Sequence, residues 1–276
     1  MICCLNGQMC PVGDARIDPQ DRGFLLGDGI FETLLAVDGS VQGAQGHLAR
    51  LFGSAARLGL SVPFPKIEIM AMMMRVLREN RLLTGRAALR ITLTRGIGPR
   101  GVAPPADAVP TFLLTAAPLG PAPQTMRAII SSHIRNEHSI SSQIKSLNYL
   151  DNILARREAV QSGADEALMR NSAGNIACAS AANIFAVADG ALYTPSAGDG
   201  ALPGVLRAAV MEAGAAQNIL VHERPVAPAM LATAAEIFLT SALIGVCPLI
   251  EIGGMPAGGG VMGPVTRLIR TRTNPG

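Results

Sequence analysis

The first half of the chain shows two kinds of hydrophobic pattern. Apolar residues recur at helical spacing over His47–Leu60 and Lys66–Leu83, so each stretch predicts an amphipathic helix. Alternating apolar and polar residues predict strands at Ala87–Thr94 and Thr111–Ala116, and the residues from Met1 to about Val12 have the pattern of an opening hairpin. This mixture of strands and helices predicts an α+β domain.

The second half alternates strands with helices. Strands are predicted at 127–132, 166–170, 183–188 and 191–194, and helices at about 147–162, 203–215 and 228–234. The longest apolar run, Ile237–Ile252, contains Thr240, Ser241, Pro248 and Glu251. It therefore predicts buried strands joined by a turn, not a membrane span.

Turn-forming residues divide these elements. In the segment IFETLLAVDGSVQG, an Asp38-Gly39 turn separates two predicted strands. The segment LGPAPQ, residues 119–124, has the composition of a linker between domains. We therefore predict an α+β domain over residues 1–118 and a mixed domain over residues 125–276.

Composition excludes several classes of protein. The net charge is only +3 and the arginines are dispersed apart from a small basic tail, which argues against a nucleic-acid-binding role. The N-terminus does not resemble a secretory signal. Five cysteines without metal-binding spacing predict reduced thiols, no metal site and a cytoplasmic location.

Lysine is rare, and its two positions differ in context. Lys66 begins a predicted helix, where a solvated charge is expected, whereas Lys145 lies among apolar residues in SSQIKSLNYLDN. Partial desolvation lowers the pKa of an ammonium group, and a neutral amine can condense with a carbonyl. Lys145 is therefore the candidate nucleophile. The alternative is a surface lysine that survives in an arginine-rich composition.

Three features suggest a phosphate-bearing ligand. The segment Leu202–Arg207 (LPGVLR) places glycine where a helix begins, and the free amides at a helix N-terminus bind phosphate. Thr240 and Ser241 could add hydroxyl donors, and Arg50 a positive charge. Pro-Gly before a helix is also a common turn, so each feature is weak by itself.

The order of these motifs resembles the class IV aminotransferase family, also called fold type IV. Members include branched-chain aminotransferase, D-amino acid aminotransferase and 4-amino-4-deoxychorismate lyase. The matching segments are DRGFLLGDGIFETL (21–34), HLARL (47–51), TRGIGPRG (94–101), KSLNYLDNILARREA (145–159), GADEALMRNSAGNI (163–176), AANIFAV (181–187), LPGVLR (202–207) and EIFLTSALIGVCPL (236–249). The resemblance implies two domains, the second a pseudo-barrel, with pyridoxal 5'-phosphate held between them in a homodimer.

The resemblance also implies roles for individual residues. Lys145 matches the lysine that binds the cofactor covalently and then moves the substrate proton. The other cofactor-binding positions are Arg50, Tyr149, Cys178, the amides of Val205 and Leu206, Thr240 and Ser241. Phe31 and Glu32 match residues at the active-site wall, and Arg100 matches an arginine that binds the substrate carboxylate in D-amino acid aminotransferases.

Cys178 departs from the family pattern. It stands where the family has a glutamate whose carboxylate keeps the pyridine nitrogen protonated, and a neutral thiol is a poor substitute. Elimination tolerates cysteine in place of glutamate better than transamination does. In an elimination, the leaving group takes away the electrons that proton removal leaves on the substrate. The alternatives are a transaminase that tolerates the cysteine, and a protein that has lost catalysis.

The first-half motifs favour the same reaction. LGDGIFETL with TRGIGPRG most resembles aminodeoxychorismate lyases, whereas Phe31 and Val102 replace the tyrosine and histidine of the D-amino acid carboxylate site. We therefore expect a lyase that releases p-aminobenzoate and pyruvate from a small-molecule amine. Arg95 and Arg100 are the candidate substrate-binding residues, and Glu32 or Thr33 the candidate proton donor. The alternatives are a D-amino acid or branched-chain aminotransferase and a non-catalytic cofactor-binding homologue.

Overall fold

The computed structural model describes residues 1–273 and divides the chain into two compact units. Unit 1 comprises Met1–Pro121 and Lys145–Asn148, and unit 2 comprises Ala122–Ile144 and the residues from Tyr149 onward. The predicted domain division places Lys145–Asn148 in the second domain. In the structure these four residues belong to unit 1, because their backbone is hydrogen-bonded to a strand there.

Unit 1 is built on a six-stranded sheet whose neighbouring strands are antiparallel. The strands are β1 (Ile2–Leu5), β2 (Gln8–Pro11), β3 (Gly29–Val37), β4 (Ser40–Val41), β5 (Arg86–Thr94) and β6 (Thr111–Pro118), in the spatial order β2-β1-β6-β5-β3-β4. Two-residue turns at Asn6-Gly7 and Asp38-Gly39 join β1 to β2 and β3 to β4. All four turn residues have positive φ, as tight hairpins require.

Helices cover one face of this sheet. They are α2 (Ala44–Arg57) and α3 (Lys66–Glu79), which end earlier than predicted, and they pack against β3, β1 and β6. The buried face between sheet and helices is apolar because alternate strand residues point to it; it includes Leu34, Leu89, Ile91, Leu114, Leu48 and Met73. A five-residue helix, α1 (Arg22–Leu26), was not predicted because it is too short to show a hydrophobic period.

Unit 2 contains a nine-stranded mixed sheet. Its strands are β7 (Met126–Ile134), β8 (Glu166–Arg170), β9 (Ile176–Ala179), β10 (Asn183–Ala188), β11 (Ala191–Thr194), β12 (Val221–Glu223), β13 (Glu236–Ser241), β14 (Gly245–Ile252) and β15 (Met255–Pro256). Its helices are α4 (Ile140–Gln143), α5 (Leu150–Gln161), α6 (Val205–Ala216), α7 (Pro228–Thr233) and α8 (Pro264–Thr273). The central run β10-β13-β14 is antiparallel, and β14 continues in parallel to β7 and β8.

The architecture is therefore α+β with two units, as the sequence predicts. The apolar run Ile237–Ile252 forms the hairpin β13–β14, whose strands are buried over most of their length. Helix α5 packs against β7 and β8 and buries Ala155 and Ala159, whose small side chains let the helix approach the sheet closely. Within residues 1–273, no helix combines the length and apolar composition needed to cross a membrane.

Candidate active site

The segment around Lys145 is hydrogen-bonded to the edge of β3 in unit 1. The amide of Phe31 donates to the carbonyl of Lys145 at 2.9 Å, and the amide of Leu147 donates to the carbonyl of Gly29 at 3.0 Å. These bonds form an antiparallel bridge between Ile30 and Ser146. The backbone of the candidate nucleophile is therefore held by β3, and Lys145 itself is half-buried.

Two glycines before β3 make this close approach possible. A Cβ on Gly29 would lie 2.6 Å from the carbonyl oxygen of Leu93 and 2.8 Å from a methyl group of Leu147. Gly27 ends α1 with φ 67°, and a Cβ there would lie 2.6 Å from the side-chain oxygen of Asn148. Larger residues would push this segment away from the strand, which gives a physical reason for the glycines of LGDGIF.

Two cations lie against the ring of Phe31. The Nζ atom of Lys145 is 4.4 Å from the ring centroid, and the Cζ atom of Arg90 is 3.9 Å from it. Both distances are within the range of cation–π attraction. In the β3–β5 register Arg90 lies opposite Thr33, so Phe31, Thr33 and Arg90 share one face of the sheet.

Sequence reasoning did not single out Arg90. A signal was available, because alternation along the predicted strand Ala87–Thr94 puts Arg90 on the opposite face from Leu89 and Ile91. In the structure, Arg90 is exposed, and its guanidinium contacts the ring of Phe31. The amine of Lys145 contacts the same ring.

Glu32 lies on the buried face of the same strand. Its carboxylate accepts from Arg50 Nε and Arg50 Nη2, both at 2.7 Å, and contacts His47 Nδ1 at 2.7 Å. Burial disfavours ionisation of Glu32, but the hydrogen bonds from Arg50 and His47 outweigh it, and the pKa of Glu32 is lowered. Glu32 is thus ionised at neutral pH and orients the guanidinium of Arg50.

This arrangement separates the two candidate proton donors. Glu32 has no proton to give at neutral pH, so it does not fit the role of proton donor that the sequence interpretation allowed. Thr33 is on the opposite face, the one that carries Phe31. Of the two candidates, the geometry keeps only Thr33 beside Phe31 and Arg90.

Arg95 is fully occupied in holding the fold of unit 1. It donates to the Asp28 carboxylate through Nε at 2.7 Å and Nη2 at 3.1 Å, and to the carbonyls of Leu58 and Gly59. Arg22, itself buried, donates to the same carboxylate at 2.9 Å. Burial opposes ionisation of Asp28, but the two arginines lower its pKa. The expected substrate role of Arg95 therefore disagrees with its contacts, which are structural.

Arg100 has a different environment. It lies in an exposed loop of unit 1 and is solvent-accessible. The loop is tied to the sheet at its next residues, since Arg22 donates to the carbonyls of Gly101 and Val102 at 3.0 and 2.9 Å. Arg100 is therefore available to a ligand, and its substrate role remains a prediction.

In unit 2, the start of α6 has the properties of an anion site. Val205 and Leu206 are its first two residues, and no side chain caps the helix. Their amides therefore have no helical acceptor and point out along the helix axis, where the helix dipole favours an anion. A Cβ on the preceding Gly204 would lie 2.1 Å from Asn183 Oδ1, so a larger residue there would displace the Asn183 side chain.

The end of β13 brings hydroxyl groups to the same unit. Thr240 is buried, and its Oγ1 has no hydrogen-bond partner among the described residues. Ser241 follows it and is half-buried. Asn183 pairs with Thr240 across the β10–β13 ladder and donates to the carbonyl of Leu202 at 2.9 Å, which ties the strand end to the approach of α6. Sequence reasoning missed this role of Asn183.

Tyr149 is not one helical turn from Lys145, as the sequence interpretation supposed. The segment 145–148 is not helical, because its backbone groups bond to β3 instead of to one another. Helix α5 begins only at Leu150, and Tyr149 is its N-terminal cap residue in unit 2. Binding of Tyr149 to the cofactor remains a prediction that no longer rests on a shared helix.

Cys178 lies on β9 in an apolar cluster with Ala155, Ala167 and Met169. Burial raises the pKa of the Cys178 thiol, and the charge of Glu166 adds to this effect, while Arg135 opposes it. The thiol is therefore neutral at physiological pH.

The carboxylate near Cys178 is bound to other side chains of unit 2. Glu166 is buried, and its oxygens accept from the hydroxyl and amide of Ser180 and from Arg156 Nη2, the last at 2.5 Å. Arg135 is also buried and donates to the carbonyls of Gly200 and Ser142 and to the side chain of Asn152, but to no described carboxylate. Near Cys178, the carboxylate of Glu166 is thus paired with Arg156, whereas Arg135 bonds only to neutral groups among the described residues.

Comparison with known proteins shows the family of the chain. The family model "Amino-transferase class IV" matches residues 29–252. The chain belongs to this family. A D-alanine aminotransferase of Listeria innocua is 33% identical over 267 residues, which are 95% of this chain and 91% of the relative.

Solved structures agree with this membership. The branched-chain amino acid aminotransferase of Escherichia coli superimposes with a TM-score of 0.92 at 28% identity, over 98% of this chain and 92% of that one. A Legionella pneumophila structure provisionally named 4-amino-4-deoxychorismate lyase superimposes with a TM-score of 0.86 at 26% identity, over 92% of this chain and 93% of that one. The fold is therefore that of the fold type IV enzymes.

Class IV aminotransferases use pyridoxal phosphate, and the residues of this chain fit that cofactor. The buried Thr240 hydroxyl without a partner and the uncapped start of α6 in unit 2 suit a phosphate group. Unit 1 supplies a half-buried lysine amine for an aldehyde and an oriented guanidinium at Arg50.

We predict that Glu32→Gln destabilises unit 1 by about 3 kcal/mol, because it removes the buried carboxylate that pairs with the partly buried Arg50. Urea unfolding at pH 7 measures this loss, with Glu79→Gln, which alters an exposed carboxylate, as the control. The folded pKa of Glu32 is lowered, so its stabilisation is present above the unfolded pKa and is lost as pH falls through the folded value. The difference between the two proteins should therefore shrink below about pH 4; equal stability at pH 7 would contradict the assignment.

We predict that Thr240→Val weakens pyridoxal phosphate binding roughly 10- to 100-fold, the effect of losing one hydrogen bond to a charged group. Stability without cofactor should not fall, because the hydroxyl has no partner to lose. Thr266→Val is the matched control, since Thr266 is also buried with an unpartnered Oγ1 in unit 2. Cofactor titration by absorbance measures both variants, and equal affinity in both would remove Thr240 from the site.

Proposed function

We propose that this chain is a pyridoxal-phosphate-dependent lyase that converts 4-amino-4-deoxychorismate to p-aminobenzoate and pyruvate. The observation that carries the proposal is the buried, neutral thiol of Cys178 with no free carboxylate beside it. A carboxylate at this position would hold a proton on the pyridine nitrogen, and a neutral thiol does not. Elimination depends less on that proton, because the departing enolpyruvyl oxygen carries the electrons away.

In the proposed reaction, Lys145 acts first as the residue that binds the cofactor and then as the base. The cofactor, when bound, withdraws electrons from the carbon that carries the substrate amine. Lys145 Nζ removes the ring proton, the bond between the ring and the enolpyruvyl oxygen breaks, and the ring becomes aromatic. Protonation of the enolpyruvate gives pyruvate, so the products together contain all the atoms of the substrate.

Other residues of unit 1 are proposed to bind and orient. Arg90 is suited to a substrate carboxylate, because its guanidinium lies 3.9 Å from the Phe31 ring on the face next to Lys145. Thr33, on the same face, is the proposed proton donor to the leaving group. Arg50 is the proposed phosphate ligand, and Glu32 is its positioning residue.

Unit 2 supplies the remaining proposed ligands of the cofactor phosphate. The amides of Val205 and Leu206 and the Thr240 hydroxyl carry this part of the proposal, because the N-cap side chain does not cap α6 and the buried Thr240 Oγ1 has no hydrogen-bond partner among the described residues. Ser241 adds a second hydroxyl. A homodimer and a cytoplasmic location complete the proposal, on the strength of the resemblance alone.

The second candidate is an aminotransferase. It is favoured by the D-alanine aminotransferase at 33% identity and by the branched-chain enzyme at a TM-score of 0.92. Phe31 and Val102 count against D-amino acids, since neither side chain can hydrogen-bond a carboxylate. The third candidate is a homologue that binds the cofactor without turnover.

We predict that the purified protein releases p-aminobenzoate from enzymatically generated 4-amino-4-deoxychorismate and that Lys145→Ala abolishes the release. Lys66→Ala, which removes the other lysine from an exposed helix start, should leave the rate unchanged. p-Aminobenzoate fluorescence and pyruvate measure the reaction. Loss of the cofactor aldehyde with an amino acid alone, and no p-aminobenzoate, would instead establish the aminotransferase. A cofactor-loaded protein with neither reaction would establish the non-catalytic homologue.

We predict that Arg90→Leu raises KM for the carboxylated substrate roughly 10- to 100-fold, because a hydrogen bond to a charged group is lost. Arg90→Lys should recover part of the loss, since it retains the charge without the fork of donors. Steady-state kinetics of both variants, with Arg78→Leu at an exposed helix position as control, provide the measurement. An unchanged KM in Arg90→Leu would exclude this carboxylate site.

A further inference from the structure

The opening hairpin brings two cysteines directly opposite each other. The turn Asn6-Gly7 fixes the register of β1 and β2, in which Cys3 pairs with Cys10 and Cys4 with Met9. Hydrogen-bonded and non-hydrogen-bonded pairs alternate from Leu5–Gln8 at the turn, so Cys3–Cys10 is a hydrogen-bonded pair. The Cα atoms of such a pair are about 5.5 Å apart, a distance that disulfides span.

The two thiols are already in contact. Cys3 Sγ and Cys10 Sγ are 3.7 Å apart, on the same face of the hairpin. Cys10 is partly exposed and lies on β2, whose ladder partner is β1, whereas Cys3 is 1% exposed. Cys4 points to the other face, where its sulfur lies 3.7 Å from Met72 Sδ. The geometry thus singles out one pair of sulfurs among the five cysteines of the chain.

We propose that Cys3 and Cys10 form a dithiol that a low-molecular-weight disulfide, such as oxidised glutathione, converts to a cross-strand disulfide. The accessible Cys10 thiolate attacks the small disulfide, forms a mixed disulfide and releases one reduced thiol. Cys3 then loses its proton and attacks the Cys10 sulfur, which releases the second reduced thiol. Two protein thiols are oxidised and one small disulfide is reduced to two thiols, so atoms and electrons balance.

The location of the pair at a sheet edge allows the bond to form. A disulfide requires about 2.0 Å between sulfurs, so the pair must close from 3.7 Å. Cys10 can make this movement because β2 is the last strand of the unit 1 sheet, while Cys3 is held on β1 between β2 and β6. The product would link β2 covalently to the sheet, which opposes fraying of the edge.

The test exposes the folded, cofactor-loaded protein to oxidised glutathione and follows the free thiols and the intact mass. We expect the loss of two of the five thiols without retained glutathione, and a peptide map that links Cys3 to Cys10. Dithiothreitol should restore both thiols. The reaction should also quicken as pH rises, because Cys3 must ionise and burial raises its pKa.

Three variants make the test specific. The Cys10→Ser protein, altered at a partly exposed position, should keep all its remaining thiols in oxidised glutathione. The Cys3→Ser protein should react only as far as a mixed disulfide between Cys10 and glutathione. Cys4→Ser is the matched control and should still lose two thiols. Glutathione that stays on Cys10 of the unaltered protein, a link between other cysteines, or no reaction of the folded protein would each overturn the proposal.

Discussion

Two backbone hydrogen bonds between Lys145–Leu147 and the start of β3 fix the position of the candidate nucleophile. They place the Lys145 amine against the ring of Phe31, and Arg90 lies against the same ring. The bonds exist because Gly27 and Gly29 leave room for the segment, and any Cβ at Gly29 would meet the backbone of Leu93. The glycine-rich motif therefore acts through packing: it allows a distant part of the chain to approach β3 and form an isolated β-bridge with it.

The arginines of this chain divide by the partners they have in the structure. Arg95 is bound to Asp28, which also binds Arg22, and these contacts hold the loop that follows β5. Arg50 is bound to Glu32 on both edges of the carboxylate, an arrangement that fixes a guanidinium before any ligand arrives. Arg90 lies with its Cζ atom 3.9 Å from the centre of the Phe31 ring, and its Nε donates to Thr92 Oγ1 at 3.3 Å. The ion pair of Arg95 thus stabilises the fold of unit 1, whereas the ion pair of Arg50 fixes the orientation of a candidate phosphate ligand.

The sequence predicts the long, regular elements well. The amphipathic helix starting at Lys66, the strand of 183–188 and the hairpin within Ile237–Ile252 are each visible in the order of apolar and polar residues along the chain. It does not predict α1 or β9, because four or five residues show no period, nor α8, which the sequence interpretation left as a basic tail. The role of Arg95 was missed because an arginine's partner, Asp28, is known only after the chain has folded. The same reason applies to Glu32 and Asn183, whose contacts join elements that are far apart in sequence.

The most direct test of this account is to locate the cofactor on the chain. Borohydride reduction of the pyridoxal-phosphate-loaded protein, followed by peptide mapping, identifies the amine that holds the cofactor. The chain has only two lysines, so the result is unambiguous. The account predicts a stoichiometric label on Lys145 and none on Lys66. A label on Lys66 or on the N-terminal amine, or no label on a protein that retains the cofactor, would contradict the account.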